Sequence, residues 1–149
     1  MLSRIRDALK VFDKKIKAVI IFGSSVYNPL KSRDIDILVV VDKIESAKEK
    51  HLIELEISRL LRPLYMYKPV DIVVMDVEML KDNAEAGTLL SGLVLGYKIL
   101  YDEICVKNTI EKILEDVAKT EEYIVFKNGR KLNLSSIAKA KKIYANPNQ

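Results

Sequence analysis

Two short apolar runs, each bordered by polar residues, constrain the fold of this chain more than any other feature. The first, Lys17–Phe22, ends at Gly23–Ser24, and the second, Ile37–Val41, follows Asp34–Ile35–Asp36. Short runs rich in Val and Ile that end at turn residues are typical of buried β-strands. We therefore predict two strands, joined by a loop that contains a short helix.

The two aspartates before the second run share one face of its strand. Side chains at positions i and i+2 point to the same side, so Asp34 and Asp36 lie together while Ile35 and Ile37 face the core. Two close carboxylates repel each other and lose hydration unless a divalent cation or a network of donors compensates them. Because hard oxygen ligands of this kind suit Mg²⁺, the pair is a candidate metal site.

Gly23 and Ser24 form a candidate phosphate-binding turn. Glycine permits backbone angles and a close approach that a side chain would block, and Ser24 adds a hydroxyl beside exposed backbone N–H groups. A turn that leads into a helix start binds anions well. Either motif alone is most often an ordinary turn or a solvated acid pair, but the conjunction is far more specific.

A third acid lies in another strand-like run, Pro69–Met75. Proline suits the first residue of a strand, and Asp71 would lie on the face opposite Val70 and Ile72. We predict that this strand pairs beside the strand of Asp36, so that three carboxylates converge. The alternative is that Asp71 simply flanks a strand end.

The order of these motifs resembles the DNA polymerase β-like nucleotidyltransferase superfamily over about residues 1–100. Within it, the sequence is most similar to the minimal nucleotidyltransferases, small proteins that are often paired with a HEPN protein. The resemblance implies an α/β (α+β) fold with a small mixed sheet covered by helices. It does not specify the acceptor.

The resemblance also implies a role for each motif. Gly23 and Ser24, with Ser25, would hold the phosphates of ATP or another nucleoside triphosphate. Asp34 and Asp36 would bind two Mg²⁺ ions, and Asp71 would complete the second metal site and help activate the acceptor hydroxyl. The implied reaction is nucleotidyl transfer by two-metal, in-line displacement at the α-phosphate, with pyrophosphate leaving.

The sequence departs from the family pattern directly after the turn. Close relatives often carry an arginine and then a glycine there, whereas this chain has Ser25–Pro29. Asn28 can replace the glycine because asparagine tolerates the left-handed region, although a residue before proline is pushed toward extended geometry. Lys31 or Arg33 is the expected substitute for the arginine charge. The alternative is a chain that binds nucleotide poorly.

Further along, helical spacing of apolar residues predicts helices over residues 2–13 and 45–62. A strand at 70–75 follows, and then a helical stretch with glycine interruptions from Asp76 to about residue 102. Three strands alternating with helices that can cover one face of the sheet make a small α/β domain, placed at residues 1–102.

Residues 103–149 are predicted to form a helical extension. Helical spacing predicts one helix to about Lys127, ended by Asn128–Gly129, and a last helix capped by Ser135 or Ser136. Residues 123–149 hold six Lys or Arg and no acid, although the whole chain has a net charge of only +4. This tail either packs its apolar stripe on the core or on a second copy of the chain, or is an electrostatic handle for nucleic acid or an acidic partner.

Composition sets the outer limits. With 149 residues, 49% of them hydrophobic and 31% charged, the sequence is typical of one globular domain. Its uncharged stretches, residues 86–97 among them, are all shorter than the ~20 residues that cross a bilayer. The N-terminus lacks an apolar signal core, so we predict no membrane association and a cytoplasmic location.

Three functions remain open from the sequence. The first is a nucleotidyltransferase that modifies a hydroxyl of a partner protein, as the resemblance to toxin–antitoxin proteins of the HEPN-paired type suggests. The second applies the same chemistry to RNA or a small molecule, and a dedicated acceptor-binding domain would favour it. The third is a binding module that has lost activity. The intact acids argue against this last function, and the absent arginine argues for it.

Overall fold

The computed structural model describes residues 2–10, 16–66, 68–83, 87–119, 124–127 and 130–145. The helices are α1 (Leu2–Lys10), α2 (Ser24–Tyr27), α3 (Ala47–Leu61), α4 (Val77–Asn83), α5 (Gly87–Leu95), α6 (Val106–Lys119) and α7 (Leu134–Ala145), with a 3-10 turn at Arg62–Met66. The strands are β1 (Ile16–Phe22), β2 (Ile35–Val41), β3 (Val70–Met75), β4 (Tyr97–Asp102), β5 (Ile124–Lys127) and β6 (Arg130–Asn133).

Strands β1 to β4 form one mixed sheet in the order β3-β2-β1-β4. β1 is antiparallel to both of its neighbours, whereas β2 and β3 are parallel. A parallel pair needs a long crossover, and α3 provides it. Because β2 and β3 run in the same direction, they begin at the same edge of the sheet, where Asp36 is paired with Asp71.

Helices cover both faces of this sheet. α1 and α3 bury Ile5, Ile53 and Ile57 against one face, in a cluster with alternate residues of β1 and β2. α4, α5 and α6 bury Leu80, Leu93 and Ile110 against the other face. The prediction that helices cover one face was therefore too narrow. Burial on both sides explains why β1 and β2 read as continuous apolar runs instead of alternating patterns.

The predicted helical stretch from Asp76 to about residue 102 is wrong in its last part. α5 ends at Leu95, and the residues after Gly96 form strand β4, which pairs antiparallel with β1. The tertiary contact decides the conformation here, because an open edge of β1 offers backbone partners to an aromatic and β-branched segment. The sheet consequently has four strands instead of the three predicted.

The predicted C-terminal helices also require correction. α6 ends at Lys119 and not near Lys127, and residues 124–127 pair with 130–133 as an antiparallel hairpin. The predicted helix end at Asn128–Gly129 lies outside the described residues. α7 is capped by Asn133, whose side-chain oxygen accepts the Ser136 N–H at 3.3 Å, and not by Ser135 or Ser136.

The last helix packs against the rest of the chain. Leu134 and Ala138 of α7 are buried in a cluster with Val94, Val117 and Ala118. This contact corresponds to the first alternative for the tail, in which its apolar stripe packs on the core. Among the described residues, none of the helices combines the length and apolarity that spanning a bilayer requires.

Candidate functional site

Three carboxylates meet at the edge of the sheet where β2 and β3 begin. Asp36 and Asp71 are paired second residues of these strands, and Asp34 directly precedes β2. One carboxylate oxygen from each of the three lies within 4.8 Å of the others. The predicted convergence of the acids is therefore confirmed. Asp34 and Asp36 are half-buried, and Asp71 is exposed.

The electrostatics of this acid triad favour a cation. Desolvation by neighbouring atoms, a hydrogen bond with Asp34 and the charge of Asp34 together raise the pKa of Asp71 above its ordinary value. The carboxylates thus resist simultaneous ionisation, and a divalent cation between them would relieve the repulsion. Three hard oxygen donors without histidine or cysteine fit Mg²⁺.

Gly23 brings the backbone of the turn against the acid triad. Its φ of 79° lies in the region that disfavours side chains, and its N–H donates to the carbonyls of Gly92 at 3.2 Å and Gly96 at 2.9 Å. A Cβ added at Gly23 would lie 3.0 Å from Oδ2 of Asp36. Glycine is therefore required both for the backbone angle and for the close approach.

Gly92 of α5 is a site residue that the sequence reasoning missed. A Cβ at this position would lie 2.5 Å from Cδ2 of Phe22, the last residue of β1. The glycine allows α5 to approach the end of β1 and to line the same space as the acids. An isolated glycine within an apolar helical stretch was the available signal.

The acid triad and the turn face a common cleft of about 740 Å³. It is lined by Phe22, Ser24, Tyr27, Asn28, Lys31, Ser32, Arg33, Asp34, Asp36, Asp71 and Gly92. The structure thus brings Ser24, Lys31 and Arg33 together with the three acids. Ser25 is not among the lining residues, and its hydroxyl is buried without a hydrogen-bond partner among the described residues.

Two further residues at the cleft had no role in the sequence analysis. Tyr27 is 54% exposed and also lines a second cleft, of about 670 Å³, between α5, α6 and α7. Lys68, which lies before β3, donates from Nζ to the carbonyl of Pro29 and to Oγ of Ser32, in the loop that leads to Asp34. No motif or spacing in the sequence connects Lys68 with that loop.

Residues 4–92 match the profile of the family described as "Polymerase beta, Nucleotidyltransferase". The match covers more than half of the chain and includes Gly23–Ser24 and all three acids of the triad. The chain therefore belongs to the polymerase β nucleotidyltransferase family, and the resemblance drawn from the sequence is confirmed.

Several solved structures are similar to this chain. A chain of a mutant MntA-HpeT toxin–antitoxin complex is 21% identical, with 76% of this chain and 83% of that chain covered and a TM-score of 0.49. A chain of the tri-AMPylated Shewanella oneidensis HEPN toxin in complex with MNT antitoxin is 19% identical, with 77% and 82% covered and a TM-score of 0.46.

Spectinomycin adenyltransferase AAD(9) from Enterococcus faecialis, solved with ATP and spectinomycin, is 16% identical, with 79% of this chain and 64% of that chain covered and a TM-score of 0.48. Among curated proteins, none matches the sequence significantly.

Proposed function

We propose that this protein transfers a nucleoside monophosphate from a Mg²⁺-bound nucleoside triphosphate to an acceptor hydroxyl. One observation carries the proposal, namely the acid triad within 4.8 Å facing the Gly23–Ser24 turn in a single cleft. Membership of the nucleotidyltransferase family supports the same reaction class. The cleft is lined by carboxylates for metal and by a hydroxyl and two cations for phosphate.

The phosphate-binding groups and the acids of the cleft have different tasks in the proposed reaction. Ser24 offers its hydroxyl to the β- and γ-phosphates, and Lys31 and Arg33 replace the arginine charge that relatives carry after the turn. Asp34, Asp36 and Asp71 would hold the Mg²⁺ ions. When bound, these ions would neutralise the charge on the α-phosphate and on the departing pyrophosphate.

The bond changes follow from this arrangement. The acceptor oxygen forms a bond to the α-phosphorus, the bond from that phosphorus to the bridging oxygen of the β-phosphate breaks, and pyrophosphate leaves. The acceptor proton passes to a carboxylate, and Asp71 is suited to receive it because it is the most exposed of the three acids. Positioning and charge neutralisation supply most of the rate, because the protein itself forms no covalent bond.

For the acceptor, we propose a hydroxyl of a HEPN-type partner protein. The ground for this choice is the similarity of the sequence motifs to the minimal nucleotidyltransferases. The exposed surface beside the cleft is compatible with a protein, since Leu30 is 97% exposed and Tyr27 54% exposed there. RNA and small molecules are the competing acceptors.

The acceptor class can be tested with triphosphates labelled at the α-phosphate. The protein is incubated with the labelled triphosphate and a native cell extract that supplies the acceptor. We expect label to enter protease-sensitive material, and to do so only when Mg²⁺ is present. Label in ribonuclease-sensitive or low-molecular-mass material would instead show that RNA or a small molecule is the acceptor. An Asp34→Asn, Asp36→Asn double variant should label nothing, and Asp82→Asn, which changes an exposed acid of α4, is the matched control.

The role of the acids can be tested separately by calorimetry with Mg²⁺ and a non-hydrolysable ATP analogue. The unaltered chain should bind the analogue only with Mg²⁺ present, and the double variant should lose this binding while keeping its helical circular dichroism. Unchanged affinity in the double variant would refute the proposed site.

A further inference from the structure

The turn between α2 and β2 carries the two cations of the proposed phosphate site. The N–H groups of Lys31 and Ser32 both donate to the carbonyl of Asn28, at 3.2 and 3.1 Å. Ser32 is only 9% exposed, and its Oγ donates to the carbonyl of Pro29 at 3.2 Å. Ser32 therefore anchors the turn on the inside, while its neighbours Lys31 and Arg33 remain exposed at the cleft.

Lys68 holds this turn from a distant part of the sequence. Its Nζ donates to the carbonyl of Pro29 at 2.8 Å and to Oγ of Ser32 at 2.9 Å. The next residue, Pro69, accepts the N–H of Ile35 at 2.9 Å. The segment from Pro29 to Ile35 is thus fastened at both ends to the two residues that precede β3.

Lysine is suited to this position. Its ammonium carries three donors on a long stem, and hydrogen bonds from a charged donor are stronger than neutral ones. Both acceptors are neutral oxygens, so these contacts fix the turn without cancelling the positive charge beside the cleft.

We propose that Lys68 is a positioning residue for the triphosphate, which acts by holding residues 29–33 so that Lys31 and Arg33 face the phosphates. This inference rests on the proposed function. A turn that is already ordered loses little conformational entropy when the phosphates bind, whereas a released turn must be ordered at that moment.

The first test is Lys68→Met, which keeps the apolar stem and removes the donors. We expect affinity for Mg²⁺-bound ATP analogue to fall about ten-fold, as the loss of one or two hydrogen bonds allows. Binding of Mn²⁺ alone should be unchanged, because the acid triad and the Ile35–Pro69 hydrogen bond remain. Lys68→Arg should retain most of the affinity, and Lys81→Met, at an exposed position of α4, is the matched control.

The second test asks whether Lys68 acts through the turn. In a Lys31→Ala, Arg33→Ala background, we expect Lys68→Met to change the affinity less than about two-fold, because the groups that it positions are gone. An equal loss in both backgrounds would show that Lys68 acts by its own charge and would overturn the inference. Loss of Mn²⁺ binding in Lys68→Met would overturn it too, since general damage to the site would then explain the result.

Failure of the inference is distinguishable from failure of the proposed function. If the unaltered chain does not bind the Mg²⁺-bound analogue, the proposed function falls and this inference falls with it. If the unaltered chain binds and Lys68→Met binds equally well, only the inference is refuted.

Discussion

The acid cleft and the C-terminal packing region use their polar groups in opposite ways. In the acid cleft, lined by the triad and by Ser24 of the Gly23–Ser24 turn, carboxylates face one another and the pKa of Asp71 is raised. In the C-terminal packing region, formed by α6, the β5–β6 hairpin and α7, polar groups close the ends of helices. Asn133 caps α7, and Nζ of Lys141 donates to the carbonyl of Leu95 at the end of α5.

The same contrast appears with the aspartates at the C-terminal ends of strands β3 and β4. Asp76 accepts the N–H groups of Met79 and Ile44, at 2.8 and 3.1 Å, and Asp102 accepts those of Ile104 and Val106, at 3.1 and 2.9 Å. These carboxylates stabilise helix starts and loops. A carboxylate that faces another carboxylate, as Asp71 does, is therefore a better sign of a functional site than an aspartate that only lies at a strand end.

The largest effect on stability should come from the C-terminal packing region. Leu134 is fully buried, so Leu134→Ala leaves a cavity and should lower the free energy of unfolding by about 2–5 kcal/mol. Affinity of the folded variant for ATP analogue should be unchanged. Urea denaturation and calorimetry measure the two quantities, with Leu52→Ala in α3 as the exposed control. A large affinity loss in Leu134→Ala would contradict the division between the regions.

Gly92→Ala should affect both stability and nucleotide binding, because it lies where α5 meets the cleft. The added methyl would lie 2.5 Å from the buried ring of Phe22 and would force a shift next to the Gly23–Ser24 turn. We expect a loss of about 1–3 kcal/mol in unfolding free energy together with weaker analogue binding.

Gly96→Ala is the milder control for that variant, since its nearest contact would be 3.2 Å from Cγ1 of Val26. A Gly92→Ala protein with full nucleotide affinity would show that the approach of α5 is structural only.

A smaller loss of stability should distinguish Lys141 of α7 from Lys139 of the same helix. Both side chains are exposed, but Nζ of Lys141 donates to the carbonyl of Leu95, and desolvation at that contact lowers the pKa of Lys141. Lys141→Met should cost about 1 kcal/mol of unfolding free energy, and Lys139→Met close to none. Thermal denaturation measures the difference.

The same pair of variants tests the nucleic-acid alternative for the tail. If the tail is an electrostatic handle, salt-dependent binding of an oligonucleotide should weaken in Lys139→Met as well, although its stability is normal. If the tail only packs, the unaltered chain should show no such binding.

The acid cleft could be predicted from the sequence because the spacing of residues along each strand determines which side chains share a face. The spacing of Asp34 and Asp36 fixes their common face, and Asp71 stands at the matching position of the next strand. The sequence could not show which residues would hold the loop from outside, because the contacts of Lys68 with Pro29 and Ser32 join positions 39 and 36 residues apart. Gly92 was missed for the same reason.

The secondary structure of the C-terminal packing region and of β4 was predicted less accurately. Helical spacing over Val106–Val117 was extended too far, although Asn128–Gly129 between Val125–Phe126 and Leu132 is also a hairpin signal. Strand β4 was read as helix because its conformation depends on the free edge of β1 and not on its own pattern. Both errors occur where a short strand needs a partner that local sequence does not specify.

The smallest predicted change in the free energy of unfolding is a gain, and it comes from a substitution in the acid cleft. Because the pKa of Asp71 is raised in the folded state, its ionised form destabilises the fold, and this cost grows as pH rises from about 3.8 through the folded pKa. Asp71→Asn should therefore raise the unfolding free energy at neutral pH by less than about 1 kcal/mol, since the group is exposed and screened. Thermal denaturation in EDTA from pH 3 to 8 measures this gain, which should vanish at the acid end.

Added Mg²⁺ should stabilise the unaltered chain more than the Asp71→Asn variant, because the variant has lost one of the three proposed ligands. A variant less stable than the unaltered chain at neutral pH would show that Asp71 supports the fold, and the contrast between the two regions would then fail.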